Sequence, residues 1–318
     1  MGTADTMRAI QVLAYGPPEM LEMVESPPPQ PISTEVLVAV AAAGVNPVDC
    51  KTRWGQGVAR WVGPPPFVPG WDVAGTVVAT GYGVTRFNPG DRVFGMPWFP
   101  RQAGAYAEFV TAPSHQLAPI PEGLDLPAAA AVPLAGLTAW QALKAAKLGP
   151  GQTLLVAGAN GGVGHLAVQI GKVLGAQVVA GVKQDQRSFT LDLDPDEILI
   201  WSNSGHPRSG LEADVALDLL GGSHTSFSLE ALRTGGTLVA IAGGAGEEVK
   251  LEAGRRRIRV LEPLVEPDGH ELEIIGDLIG AGRLKVVIED LLPLKQAAQA
   301  HRRLEGQRGR RGKLVLVP

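Results

Sequence analysis

The stretch from Thr153 to His165, Thr-Leu-Leu-Val-Ala-Gly-Ala-Asn-Gly-Gly-Val-Gly-His, constrains this chain more than any other. A short apolar run enters a glycine cluster, Gly158, Gly161, Gly162 and Gly164. A helix-compatible run follows to Leu174 and closes on Gly175, where a C-terminal cap belongs. A second apolar run, Gln177 to Val182, completes a β-α-β unit. Strand, glycine turn and helix in that order direct backbone N–H groups and the positive end of a helix dipole at one point, which suits a pyrophosphate. Gly161, Gly162, Val163 and Gly164 are therefore the expected cofactor-facing residues. Gly161 leaves room for the phosphates, and Gly164 lets helix and strand pack closely. Ala159 stands where the first glycine of G-x-G-x-x-G belongs, so the reading rests on the whole unit rather than the bare pattern.

The end of the second strand addresses which dinucleotide. NAD-binding folds place Asp or Glu about 20 residues beyond the glycines, on the ribose hydroxyls. Here that region reads Gly181-Val-Lys-Gln-Asp-Gln-Arg187. Lys183 sits near the place of the acid and Arg187 follows one helical turn later. Two cations suit the dianionic 2′-phosphate of NADPH, which Arg can grip bidentately. The alternatives are a solvated cationic pair at a helix start, and NAD held weakly through Asp185.

A length of 318 residues is enough for two domains with sizeable cores. The net charge of −4 gives no sign of a nucleic-acid partner, and the basic runs Arg255–Arg259 and Arg302–Arg311 read as solvated faces. No apolar run reaches membrane-spanning length and no secretory signal is visible, so a cytoplasmic protein without a membrane partner is expected. Met1–Thr6 matches a myristoylation pattern in form, but reads more simply as a ragged start before Met7. The single cysteine, Cys50, excludes an internal disulfide and a multi-cysteine zinc site. The six histidines, at 115, 165, 206, 224, 270 and 301, lack paired ligand spacing and read as surface or packing residues.

The texture of the chain changes along its length. Up to about Pro121, short runs such as Glu35–Val40 and Val73–Ala79 alternate with turn clusters rich in Pro and Gly, which predicts a β-barrel-like domain. From about Leu126, helices alternate with apolar strands at Thr153–Ala157, Gln177–Val182, Glu197–Ile200, Ala213–Leu217 and Thr237–Ile241, the pattern of a doubly wound parallel sheet. Two helices (Glu271–Gly282 and Leu294–Leu304) and a strand, Lys313–Val317, end the chain. That strand is expected to rejoin the first domain.

Several segments together resemble the medium-chain dehydrogenase/reductase superfamily in its zinc-independent quinone oxidoreductase branch. They are Ala43–Asp49, Pro69–Gly75, Gly90–Val93, Gly104–Val110, Gly136–Trp140, the glycine segment and Arg311–Val315. The resemblance runs over essentially the whole chain. It implies an α/β architecture: a GroES-like β-barrel catalytic domain over 1–122 and 263–318, and a Rossmann NADP-binding domain over 123–262. Zinc alcohol dehydrogenases have a ligand cysteine where this chain has Asn46 and a ligand histidine where it has Trp71. Neither replacement is a zinc donor, and no metal is expected. Quinones and conjugated enones need no Lewis acid, because they already accept hydride.

Asn46-Pro-Val-Asp-Cys-Lys51 resembles the Asn-Pro-Val-Asp-x-Lys motif of enone and quinone reductases. The resemblance implies that Lys51 orients the nicotinamide ribose and stabilises a developing enolate. Asp49 and Asp72 are its candidate partners, and Asn46 completes the catalytic set. A surface Lys–Asp pair is the bland alternative. Thr138 matches a threonine close to the nicotinamide, and Trp201 an aromatic near the adenosine phosphate. Ala242 and Gly243 are further cofactor contacts at the fifth strand. Trp54, Trp71 and Trp98 are candidate walls for a flat substrate, with Phe67 read as structural. The expected activity is NADPH-dependent reduction of a quinone or enone by a homodimer, in which the apolar run Thr237–Ile241 lies beside the pairing edge. An enoyl-thioester reductase and a non-catalytic NADPH-binding protein are the alternatives.

Overall fold

The computed structural model describes residues 6–201, 210–306 and 311–318. His206, most of Met1–Thr6, and Arg308 and Arg310 of the second basic run lie outside the described residues. The chain divides into two compact units. The first comprises residues 1–137, 266–282 and 286–318, and the second 138–265 with 283–285. The resemblance placed the first boundary at 122/123, whereas the division falls inside a helix at 137/138.

The first unit opens with β1 (Met7–Val12) and β2 (Leu21–Ser26), an antiparallel pair, followed by β3 (Glu35–Val45). Two short helices come next, α1 (Pro47–Arg53) and α2 (Ala59–Val62). Four strands follow: β4 (Val73–Thr80), β5 (Arg92–Gly95), β6 (Phe109–Pro113) and β7 (Leu117–Pro119). Then come α3 (Leu126–Ala130) and α4 (Pro133–Ala146), the helix that carries the boundary. β3 is rich in Val and Ala and is buried along almost its whole length. It pairs antiparallel with β4 and β6, so both edges are hydrogen-bonded, and because residues on both of its faces are buried its sequence shows no apolar–polar alternation.

The second unit runs β8 (Thr153–Ala157), α5 (Gly162–Val173), β9 (Gln177–Lys183), α6 (Arg187–Leu191) and β10 (Glu197–Trp201). It continues with β11 (Ala213–Asp218), α7 (Ser223–Glu230), β12 (Leu232–Ala240), α8 (Glu247–Arg255) and β13 (Arg259–Leu261). All six strands are parallel, in the order β10-β9-β8-β11-β12-β13. Counted from β8 this is 3-2-1-4-5-6, the doubly wound Rossmann order, whose ligands bind beyond the carboxyl ends of the strands where the order reverses. Leu154, Leu155 and Val156 of β8 are fully buried, each worth about 1.5–3 kcal/mol relative to exposure.

The chain then returns to the first unit through α9 (Gly269–Gly280), β14 (Ile288–Pro293), α10 (Ala297–Glu305) and β15 (Lys313–Val317). β15 pairs antiparallel with β3 and completes a seven-stranded sheet. Sequence and structure differ at element ends, for identifiable reasons. α9 starts two residues early because Asp268 caps it, accepting from the His270 and Glu271 amides at 2.8 and 3.0 Å. β12 starts at Leu232, and its Thr234-Gly235-Gly236 segment shifts the register against β11. The basic run at 255–259 is only partly a solvated face, since Arg256 donates to the Leu229 and Leu232 carbonyls. Among the described residues no helix is long and apolar enough to cross a membrane.

Candidate active site

In the second unit the glycine turn has the geometry an anion site needs. Gly161 is extended and caps α5, whose first internal bond is His165 N–H to Gly161 C=O at 3.0 Å. The amides of Gly162, Val163 and Gly164 precede that bond and belong to the open first turn. A Cβ on Gly164 would lie 2.1 Å from the Gly158 carbonyl oxygen, whereas the nearest atom to one on Gly161 is 3.6 Å away. One glycine therefore serves close packing and the other leaves space.

Other strand ends contribute to the same rim. Lys183 closes β9 and Arg187 opens α6. Both are exposed, and neither has an ion-pair partner among the described residues. Asp218 ends β11 fully buried and accepts from the Leu220 and Gly221 amides and the Thr225 hydroxyl at 2.9, 3.1 and 2.5 Å. It fixes the turn that presses Gly221 against the Ala242 carbonyl, just before exposed Gly243. Sequence reasoning missed Asp218. Its place at a strand end before Gly221-Gly222 was the available signal.

Trp201 is 3% exposed and packs over Gly181, where an added Cβ would come within 2.2 Å of the indole, and against Phe227. It is a core residue of the sheet at the position where the resemblance implies an aromatic near the adenosine phosphate. Thr138 lies buried on α4.

In the first unit, Asn46 precedes α1 and shares a reciprocal capping arrangement with Asp49, whose Oδ2 accepts from the Asn46 amide at 2.6 Å. The expected pairing of Lys51 with Asp49 or Asp72 is not what the structure shows. Lys51 is exposed, and among the described residues it has no ion-pair partner. Asp72 is instead paired with Lys313, which sequence reasoning noticed only as part of a motif. Lys313 Nζ donates to Asp72 Oδ2 at 3.0 Å and to Asn46 Oδ1 at 2.5 Å, with both charged side chains buried. Asn46 Nδ2 also donates to Asp72 Oδ2 at 2.8 Å, and the Leu134 amide to Asp72 Oδ1 at 2.7 Å. A buried ion pair needs such surrounding bonds to offset its desolvation.

Among the described residues Asp49 has no cation in contact. Burial pushes its carboxyl up from 3.8 to about 7, opposed by bonds from the Asn46 amide and the Tyr106 hydroxyl. Tyr106 OH donates to Asp49 Oδ2 at 3.0 Å and stands 3.3 Å from His301 Nε2. His301 is thus no ordinary packing residue.

Of the aromatic candidates, Trp71 is 2% exposed, with its indole N–H donating to the Arg101 carbonyl at 2.6 Å and its ring edge-on to Phe99. It is a core side chain, as is Phe67. Trp54 is 47% exposed and donates to Glu305 at 2.9 Å. Trp98 is half-buried at a left-handed φ of 64°, held by bonds to Gln116 and Thr111. Such a backbone costs about 1–3 kcal/mol and marks a loop held in a special shape.

The donor set does not fit zinc. Asn46 spends its amide on Lys313 and Asp72, Trp71 offers only a donor, and Asp72 is already neutralised by an ammonium. Among the described residues no three His, Cys, Asp or Glu side chains converge as a metal-holding group.

Fold and site together define a GroES-like and Rossmann oxidoreductase. Residues 32–122 match the family described as alcohol dehydrogenase GroES-like domain, and 196–316 the one described as zinc-binding dehydrogenase. A quinone oxidoreductase of Rattus norvegicus is 31% identical over 98% of each chain. The solved quinone oxidoreductase of Coxiella burnetii is 32% identical, with a TM-score of 0.91 over 98% of this chain and 99% of that one. A structure described as an NAD-dependent alcohol dehydrogenase (32% identity, TM-score 0.88, 98% and 100% covered) is also similar. So is a mycobacterial protein complexed with NADPH (31%, 0.87, 98% and 100%). The chain belongs to the medium-chain dehydrogenase/reductase superfamily, in the quinone oxidoreductase branch.

Proposed function

We propose that this oxidoreductase is a zinc-independent, NADPH-dependent reductase of quinones or α,β-unsaturated carbonyl compounds. The observation that carries the cofactor reading is the pair Lys183 and Arg187, exposed and unpaired among the described residues, at the strand end where an NAD-specific fold places an acid. A 2′-phosphate supplies the counter-charge these two cations otherwise lack. The open turn at Gly161–Gly164 receives the pyrophosphate, and exposed Gly243 leaves room beside it.

Bound NADPH supplies a hydride to an acceptor that is already electrophilic. The chain's part is positioning and electrostatics. The exposed ammonium of Lys51 orients the ribose and stabilises the enolate or hydroquinone anion charge that develops on the acceptor's oxygen as hydride adds to its conjugated system, and one proton from solvent completes the reduction. Asn46, Asp49 and Asp72 are buried and bonded to one another, to Lys313 and to Tyr106, so they hold α1 rather than touch the reacting atoms.

Fluorescence titration with NADPH and NADH tests the cofactor reading. NADPH is expected to bind at least about tenfold tighter, and Arg187→Ala to weaken it by about 1–3 kcal/mol while leaving NADH nearly unchanged. Equal dissociation constants for the two cofactors in the unmodified protein would sink it.

A further inference from the structure

A helix of seven residues, α1, carries Lys51, and a helix that short has little stability of its own. What holds it is a closed polar circuit built from distant parts of the first unit. At one end Asp49 accepts from Tyr106 OH, which stands 3.3 Å from His301 Nε2 on α10. On its other nitrogen, Nδ1, His301 accepts from Arg53 NH1 at 2.8 Å, and Arg53 ends the same α1. Arg53 is fully buried and places two further donors on the Gly16 carbonyl at 2.9 Å and on Glu305 Oε1 at 2.5 Å. The circuit runs Asp49, Tyr106, His301, Arg53 and returns along α1, with Lys51 midway between its two anchored residues.

The bonding dictates the state of His301. An always-protonated guanidinium on Nδ1 requires a lone pair there, so the proton sits on Nε2 and faces the Tyr106 oxygen. Burial and the facing Arg53 charge agree, pushing the imidazole down from 6.5 to about 3 and keeping it neutral. Every hydrogen in the chain then points one way, from Arg53 through His301 and Tyr106 to the Asp49 oxygen.

We infer that His301 is a positioning residue for Lys51, acting through Arg53 and Tyr106 to fix both ends of α1. The effect of this circuit on catalysis rests on the reading of Lys51 given above, whereas its effect on the helix does not.

The test measures amide hydrogen exchange in the α1 segment and kcat/KM for NADPH-driven quinone reduction. The variants are His301→Leu, Tyr106→Phe and His301→Gln, each made in the unmodified and the Lys51→Ala chain. His301→Leu and Tyr106→Phe are expected to speed α1 exchange about tenfold. His301→Gln can both accept and donate, and should stay within about threefold of the unmodified protein. The first two variants should lower kcat/KM about tenfold or more in the unmodified chain and less than about twofold further in the Lys51→Ala chain. Unchanged α1 exchange in both His301→Leu and Tyr106→Phe would overturn the inference. An equal loss of kcat/KM in both backgrounds would overturn it too, because the effect would then bypass Lys51. Tyr106→Phe removes only a hydroxyl and keeps the test open should His301→Leu fail to fold. If Lys51→Ala alone is silent while α1 exchange rises, the catalytic reading of Lys51 falls and the role of His301 in holding the helix stands.

Discussion

Two buried titratable groups in one hydrogen-bonded chain have opposite consequences for stability. Asp49 is raised from 3.8 to about 7 by burial and by Asp72, against the Asn46 amide, Lys313 and Tyr106. Its folded state holds a proton that the unfolded chain has released, so this contribution is present below about pH 4 and is lost as pH rises to about 7. His301 is lowered from 6.5 to about 3 by burial and by Arg53, so its contribution is present above about pH 6.5 and is lost as pH falls toward 3. Between about pH 4 and 6.5 the two slopes oppose each other. Asp49→Asn should therefore make Tm rise more steeply with pH than in the unmodified protein, and His301→Gln should make it fall relative to that protein. Thermal melts across this window check both, and parallel curves for all three proteins would refute the assignment. None of this was legible in the sequence. Asp49 could be seen within its motif, but Tyr106 reaches it from the segment before β6, His301 reaches Tyr106 from α10 in the returning end of the chain, and local pattern carries no record of such pairings.

At the scale of elements the sequence was most informative where local geometry is self-contained. β8 and β15 have the bounds their apolar runs predicted, and β9 and β10 each run one residue further. The cofactor turn was readable because each glycine has a local reason. Gly164→Val should be strongly damaging, since even a Cβ meets the Gly158 carbonyl at 2.1 Å and the Ala159 backbone at 2.8 Å. Overpacking there costs about 1–3 kcal/mol or more and forces α5 away from β8. A fall in Tm together with weaker NADPH binding is the expected result, and an unchanged melt would show that the close approach is not needed. The burial of Trp71 and Trp201 was not legible because it depends on neighbours from other elements. Trp201 fills the space above a glycine on the adjacent strand, a pairing that needs the sheet register to be known.

For the whole molecule, the Rossmann sheet ends on β13, a three-residue edge strand next to the apolar β12. Val260 and Leu261 are only half-buried there, and Leu264 just beyond is 51% exposed. An unpaired edge with apolar neighbours invites pairing with another chain. We propose that two copies meet at this edge, which satisfies its backbone groups under a two-fold axis. Light scattering should then report twice the 33.2 kDa chain mass at micromolar concentration, and a stable species of 33.2 kDa would remove the idea. Two-domain organisation was legible from the change in texture near Leu126. The boundary inside α4 was not, because a continuous helix carries no linker composition to announce it.

Metal-free hydride transfer from NADPH underlies every catalytic role proposed for these residues. It is tested by following NADPH and NADH oxidation by exhaustively chelated protein against a panel of quinones, enones and enoyl thioesters. Full activity should survive chelation, with kcat/KM at least about tenfold higher with NADPH and with quinones or enones as the best acceptors. Activity that disappears on chelation and returns with stoichiometric zinc would refute the metal-free reading. Equal use of NADH, or no turnover of any quinone or enone, would refute the proposed cofactor or substrate class.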